Sequence, residues 1–283
     1  MHPLIANSVT KRLVSGFFLF AFILAGCNEF SRVQKSTDLN YKYEMAEKYY
    51  QKGDFTKSQI LFDELYAVMR STERAERVSY YLANSYYQLE DYYMAGYLFR
   101  NYFRTFPTSP HAAECLYMSA FCHFRVSPPY SLDQADTYQA IEEFQYFMQM
   151  FPTDTSRIRE CNKMVDELHR KLEKKAFLTA KMYYEIQYYS AAISALEIFL
   201  HDYPDTKTRE EAMYYIVDSK YYLAVNSIEA KKEERVTDAI NSSRSFLATF
   251  SESEFTGRVN DIQGKAQNLK EKIENDKKTQ IRK

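Results

Sequence analysis

The chain has 283 residues, with 37 Lys and Arg set against 38 Asp and Glu, a net charge of −1. That balance excludes a surface built to neutralise phosphates, so nucleic acid is not expected as a partner. Its 26 Tyr and 20 Phe come with no Trp, 6 Gly and 7 Pro, and so few breakers exclude a strand-and-turn architecture and predict helices joined by short turns.

The first element is a targeting segment. Lys11 and Arg12 close a short basic stretch, and Leu13 to Leu24 is uncharged and almost wholly apolar. The apolar run is about a dozen residues, short of the roughly 20 needed to span a bilayer. It ends in Leu24-Ala25-Gly26-Cys27, which resembles a bacterial lipobox. Residues 1–26 are therefore read as a signal peptide, and Cys27 as the new N-terminus carrying diacylglycerol and an N-acyl chain. More than one acyl chain anchors a protein to a membrane stably. Loss of Lys11 and Arg12 takes the net charge from −1 to −3 over the remaining 257 residues. Residues 27–39, the lipidated Cys and a polar stretch, are expected to act as a flexible tether.

A repeat then organises the chain. Four segments close alike: Phe106-Pro107-Thr108-Ser109, Phe151-Pro152-Thr153-Asp154, Tyr203-Pro204-Asp205-Thr206 and Phe250-Ser251-Glu252-Ser253. An aromatic ends a helix, proline stops it in the first three, and Ser, Thr or Asp is placed to cap the next. Upstream of each stop stand Ala95, Ala140, Ala192 and Ala239, followed four residues later by Phe99, Phe144, Leu196 and, as the exception, Ser243. Further upstream Ala46, Ala83, Ala120, Ala180 and Ser219 each precede a ring by three residues, at Tyr49, Tyr86, His123, Tyr183 and Tyr222. The first unit also reads Gly53-Asp54-Phe55, Ser58 and Phe62. This pattern resembles the tetratricopeptide repeat, because paired helices approach closely only where their side chains are small. One pair cannot bury its own apolar face, so neighbours must stack. The expected fold is all-α, a right-handed superhelix (α-solenoid) of about five such helix pairs.

Units one to three are placed within residues 40–156. A linking helix with units four and five occupies 157–254, and 255–283 forms a charged, solvated capping helix that frays. Units three and five carry eight extra residues between their small positions. In unit three the excess falls in a loop at Ser127-Pro128-Pro129-Tyr130-Ser131. In unit five it falls at residues 229–235, a polar helix extension or a loop. Residues 157–175 are expected to form an additional charged helix before unit four.

No catalytic motif stands out, neither a glycine-rich phosphate loop, nor His-Glu-x-x-His, nor Gly-x-Ser-x-Gly. His111, His123, His169 and His201 are scattered, and Cys115, Cys122 and Cys161 read as small buried hydrophobes rather than as a zinc set. No metal or cofactor is expected beyond the lipid on Cys27. The function is therefore read as binding, not catalysis. The first helix of each pair should line a concave face, with exposed positions three before and four after its small residue. Those positions hold Tyr43 and Tyr50, Tyr80 and Tyr87, Tyr117 and Phe124, and Phe177 and Tyr184, a ladder of rings suited to extended peptide. The competing reading is that the rings only pack between repeats. In unit five the same positions hold Ile216 and Leu223.

A lipobox, a short linker and five such units resemble the BamD family of outer-membrane protein assembly lipoproteins. The strongest local match is Tyr183-Tyr184 with Ala192, then Asp202-Tyr203-Pro204-Asp205-Thr206-Lys207-Thr208-Arg209-Glu210-Glu211-Ala212. The resemblance implies a non-enzymatic scaffold held by its lipid at the periplasmic face of the outer membrane. It also implies two partners: unfolded outer-membrane proteins received by the early repeats, and the POTRA domains of a BamA-type barrel subunit bound by the later ones. Asp202, Asp205, Arg209 and Glu210 become the docking residues by that analogy. Asn28 after the lipidated Cys agrees with outer-membrane sorting. Ser251 in place of proline and the longer unit five depart from the family pattern. Two other readings stay open: a different tetratricopeptide lipoprotein of envelope or pilus and secretin assembly, and a SusD-like glycan-binding lipoprotein, against which the absence of Trp weighs.

Overall fold

The computed structural model describes residues 29–281. The proposed signal peptide, Cys27 and Asn28 lie outside the described residues. Among those described, every regular element is a helix. Residues 29–34 form α1. Then follow α2 (Leu39–Gln51), α3 (Phe55–Val68), α4 (Ala75–Gln88), α5 (Tyr92–Thr105), α6 (Ala112–Val126) and α7 (Ala135–Met150). The chain continues with α8 (Thr155–Glu185), α9 (Tyr189–Asp202), α10 (Arg209–Val225), α11 (Glu229–Thr249) and α12 (Thr256–Ile281). The expected all-α helix-pair repeat is thus what forms: α2/α3, α4/α5, α6/α7, α8/α9 and α10/α11, closed by α12.

The small positions are where the helices meet. Ala46, Ala83, Ala120, Ala95, Ala140, Ala192, Ala239 and Ser219 are wholly buried, as are Phe62, Phe99, Phe144 and Leu196. Each second helix from α5 onward ends by one device. Phe106, Phe151, Tyr203 and Phe250 hold φ between −125° and −127° with ψ between 60° and 71°. Each packs on the ring four residues back, at centroid distances of 5.2–5.5 Å (Tyr102, Phe147, Phe199 and Phe246). Phe250 adopts this geometry although Ser251 follows it, so the ring contact and its N–H bond to Phe246 O at 2.8 Å suffice without proline.

The helices group into two compact units. The first runs to Pro128 and includes Gln134–Val165; the second holds Pro129–Asp133 and everything from Asp166 onward. The first unit has a core centred on Phe62, Leu82, Phe99 and Tyr102. In the second, Phe177, Leu196, Phe199 and Ile216 form one cluster, and Val217, Phe246, Val259 and Ile262 another.

Three features differ from expectation, and a fourth, the excess in unit five, resolves to one of its two expected forms. Residues 157–175 are not a separate helix: α8 is continuous over 31 residues and merges them with the first helix of unit four, because neither Gly nor Pro interrupts Thr155–Glu185. The tether is helical in part, since Val33 is fully buried and Phe30 packs on Tyr49 at 5.8 Å. The Lys42 ammonium further ties this segment down by donating to Gln34 O at 2.9 Å. The excess in unit five is a helix extension, the start of α11, where Glu233 pairs with Lys277 of α12. The capping helix is also more than a solvated one, burying Val259, Ile262, Ala266 and Ile273 along one face.

Candidate functional site

The eight ladder residues fall where the helix register puts them, but none is exposed. Tyr43 and Phe177 are buried, which corrects their placement on an open face. Tyr43 lies beneath Arg74, whose guanidinium sits 4.4 Å from the ring centroid, and against Phe62. Phe177 packs on Phe199 at 5.4 Å. The other six, Tyr50, Tyr80, Tyr87, Tyr117, Phe124 and Tyr184, are half-buried. The three pairs on α2, α4 and α6 belong to the first unit, and Phe177 and Tyr184 to the second.

Within the first unit the rungs touch through two rings that the register argument passed over. Tyr50 meets Tyr81 at 4.7 Å, and Tyr81 meets Tyr80 at 5.9 Å. Tyr87 meets Phe121 at 6.4 Å, and Phe121 stacks on both Tyr117 and Phe124 at 6.1 and 6.0 Å. Phe121 was findable, since it stands four residues after Tyr117 on the same helix face. Tyr81 points instead toward Phe62 of the preceding pair, which the spacing alone does not reveal.

Four of the six ladder phenols are spent inside the repeat. Tyr80 donates to Glu114 at 2.9 Å, Tyr117 to Glu160 at 3.1 Å and Tyr184 to Asp218 at 2.6 Å, each bond reaching from one pair's first helix to the next. Tyr43 donates to Glu47 of its own helix at 2.6 Å, and Arg77 of α4 pairs with that carboxylate at 3.1 Å. Burial first, and then these carboxylates, push the phenols of Tyr80, Tyr117 and Tyr184 far above the ordinary tyrosine range. The rungs therefore join neighbouring repeats as well as presenting ring area at the surface.

A second polar cluster joins α5, α6 and α7. Glu143, buried, accepts from Arg100 at 2.7 Å, Ser119 at 2.8 Å and Gln139 at 3.0 Å. His123 lies beside it, with Nε2 3.8 Å from Glu143 and Nδ1 3.7 Å from Asp136. Cys115, Cys122 and Cys161 are free and buried, and burial pushes the thiols of Cys122 and Cys161 up to about 12, where little reactive thiolate forms. Among the described residues, no group of His, Cys, Asp and Glu is placed to hold a metal ion.

The residues assigned to docking gather around the turn between α9 and α10 in the second unit. Asp202 and Asp205 line a cavity of about 590 Å³ with Asp166, His169, Arg170 and Glu173. Arg209 is exposed and donates to Pro204 O at 3.3 Å, while Glu210 is half-buried in the first turn of α10. Neither lines that cavity.

The sequence is similar to known proteins over nearly all of this architecture. The family model described as YfiO, outer membrane lipoprotein, matches residues 35–236 and 170–276. A relative from Aquifex aeolicus (strain VF5), provisionally named outer membrane protein assembly factor BamD, is 25% identical over 242 residues, covering 84% of this chain and 78% of that one. Among solved structures, the TPR-like repeats of a kinesin light chain from Podosopora anserina align with TM-score 0.31 and 14% identity over 76% of this chain and 97% of that one. The assembly chaperone of RpL4 (Acl4) aligns with TM-score 0.25 and 12% identity over 85% and 99%. No helix among the described residues is long and apolar enough to cross a membrane. With the family model spanning α2 to most of α12, the chain belongs to the YfiO family of outer-membrane lipoproteins, the BamD family that its repeats resemble.

Proposed function

We propose that the chain is a non-enzymatic scaffold and receptor subunit of the machine that assembles β-barrel proteins in the outer membrane. The lipid on Cys27 holds it at the periplasmic face. The first unit receives unfolded outer-membrane proteins along the half-buried rings of α2, α4 and α6, and the second docks the POTRA domains of a BamA-type barrel subunit. The observation that carries this reading is the family match, which runs through both units. The rings support the receptor role: Tyr50, Tyr80, Tyr87, Tyr117, Phe121 and Phe124 supply rigid, amphipathic contact area with little conformational entropy to lose.

Co-purification under mild detergent tests the docking role: tagged chain should bring the barrel subunit with it, and its absence would sink that part. For the receptor role, Tyr50, Tyr87 and Phe124 are changed to Ala together, and crosslinking to an unfolded barrel protein is measured. Crosslinking should fall while barrel-subunit recovery persists. Parental crosslinking with intact helicity removes the rings from the site.

A further inference from the structure

Repeats two and four share a register that allows comparison side chain by side chain. Ser109 donates to Glu76 at 2.6 Å and Thr206 to Glu173 at 2.5 Å, each across 33 residues. Four residues beyond these glutamates lie Tyr80 and Phe177. Two residues beyond the hydroxyls lie His111 and Thr208, which are the N-cap residues of α6 and α10. Their backbones agree, with φ −90°, ψ −2° at His111 and φ −90°, ψ 13° at Thr208. In the first unit the His111 ring stacks on Tyr80, centroids 4.3 Å apart. In the second, Thr208 takes the place of that ring, and a cavity of about 520 Å³ opens with Phe177 and Leu178 in its lining.

The rim of this hollow carries Arg170, Lys174 and Lys207, all exposed. Lys174 also lies 4.5 Å from the Tyr130 ring centroid. Of the two carboxylates in the lining, Glu173 is already bonded by Thr206, and Asp205 faces solvent. An apolar floor inside a mainly cationic rim selects a complementary ligand: one ring to fill the space and negative charges beside it. We propose that the hollow anchors a protein segment in which a single aromatic side chain is flanked by carboxylates. The ring takes the stacking place that His111 fills in repeat two, and the carboxylates meet Arg170, Lys174 and Lys207. This adds a specific pocket to the second unit and does not depend on which protein supplies the segment.

The probe is a fluorescein-labelled peptide, Gly-Asp-Asp-Phe-Asp-Asp-Gly, titrated against the full chain by fluorescence anisotropy. Companion peptides carry Ala for Phe, or Lys for every Asp. Thr208→His restores the covering ring, and Arg170→Glu with Lys207→Glu reverses the rim. The probe should bind, and each peptide change and each variant should weaken it about ten-fold or more, the rim effect fading as salt rises. Helicity and thermal midpoint should stay at the parent level, and if Thr208→His fails to fold, the rim variant decides. Failure of the parent to bind overturns the proposal, as does equal affinity for the Lys peptide or equal affinity in both variants. A dimer in sedimentation that Thr208→His dissolves overturns it too, since a second copy of the chain would then fill the hollow.

Discussion

Replacing Glu90 and Gln187 by glycine should stabilise the chain. Both hold left-handed backbone, φ 61° and 64°, at the position where the first pair has Gly53 with φ 75°. The three turns make the same two bonds. The N–H groups of Gly53, Glu90 and Gln187 donate to the carbonyls of Tyr50, Tyr87 and Tyr184 at 2.9–3.0 Å. Those of Asp54, Asp91 and Tyr188 donate to Tyr49, Tyr86 and Tyr183, also at 2.9–3.0 Å. A side chain in this conformation costs about 1–2 kcal/mol. Glycine relieves that strain but loosens the unfolded chain, returning roughly 0.5–1 kcal/mol. The net gain is about 0.5 kcal/mol per site, and the sites lie in different units, so the double variant should gain about 1 kcal/mol. The converse change reverses both terms: a Cβ on Gly53 would meet nothing within 4 Å, so Gly53→Ala should lose about 0.5 kcal/mol through backbone conformation alone. Urea denaturation followed by circular dichroism reads all three. Glycine variants that lose stability, or a neutral Gly53→Ala, would refute the assignment of cost to backbone strain.

Three further outcomes follow from the same repeat comparison. Tyr188 caps α9 with the backbone of Asp54 and Asp91 but without their side-chain bonds, so Tyr188→Asp should add about 1 kcal/mol; a lowered melting midpoint would show that the exposed ring has a compensating contact. Ser251→Pro should gain roughly 0.4–1 kcal/mol, because Phe250 already holds the geometry of the residues preceding Pro107, Pro152 and Pro204; a destabilised variant would mean that Ser251 does not share their backbone. Burial raises the Asp218 carboxyl above its ordinary range, an effect that the Tyr184 hydrogen bond and Lys265 only partly offset. A raised folded value adds stability at acid pH that is lost as pH climbs through the folded value. Asp218→Asn should therefore improve relative to the parent as pH rises above the ordinary carboxylate range, and a difference that stays flat or shrinks in thermal melts contradicts this.

The crossing residues were legible in the sequence because their constraint is local: two helices cannot meet over a large side chain, so Ala46, Ala83, Ala120 and their counterparts had to be small. The stops were legible for the same reason. Exposure of the rings was not. Register fixes the side of the helix on which Tyr43 and Phe177 stand, whereas Arg74 and Phe199, from neighbouring helices, decide whether they are covered. The excess in unit five could be read as loop or helix, because polar residues permit both. Helix prevails, continuous with Val236, Ala239 and Ile240, which pack on Ala266, Leu269 and Ile273 of α12. Phe30 and Val33, three residues apart, were the overlooked sign that the tether docks.

The bonded rungs locate where recognition can act. A phenol that already donates to Glu114 or Asp218 has its polar tip satisfied, and drawing it toward a ligand would strand a carboxylate that is at least half-buried. At those rungs the proposed receptor surface offers a partner ring faces and little hydrogen bonding, which suits weak capture of many sequences better than tight selection of one. Selectivity needs positions where the repeat breaks its own rule without a local return in stability. Thr208 in place of a covering His111 is one, because it leaves apolar floor beside an exposed cationic rim. Tyr188 in place of a capping Asp is another, because it gives up a cap to put a ring in solvent. Both breaks fall in the second unit, whereas the Asp caps and the His111–Tyr80 stack keep the corresponding places closed in the first.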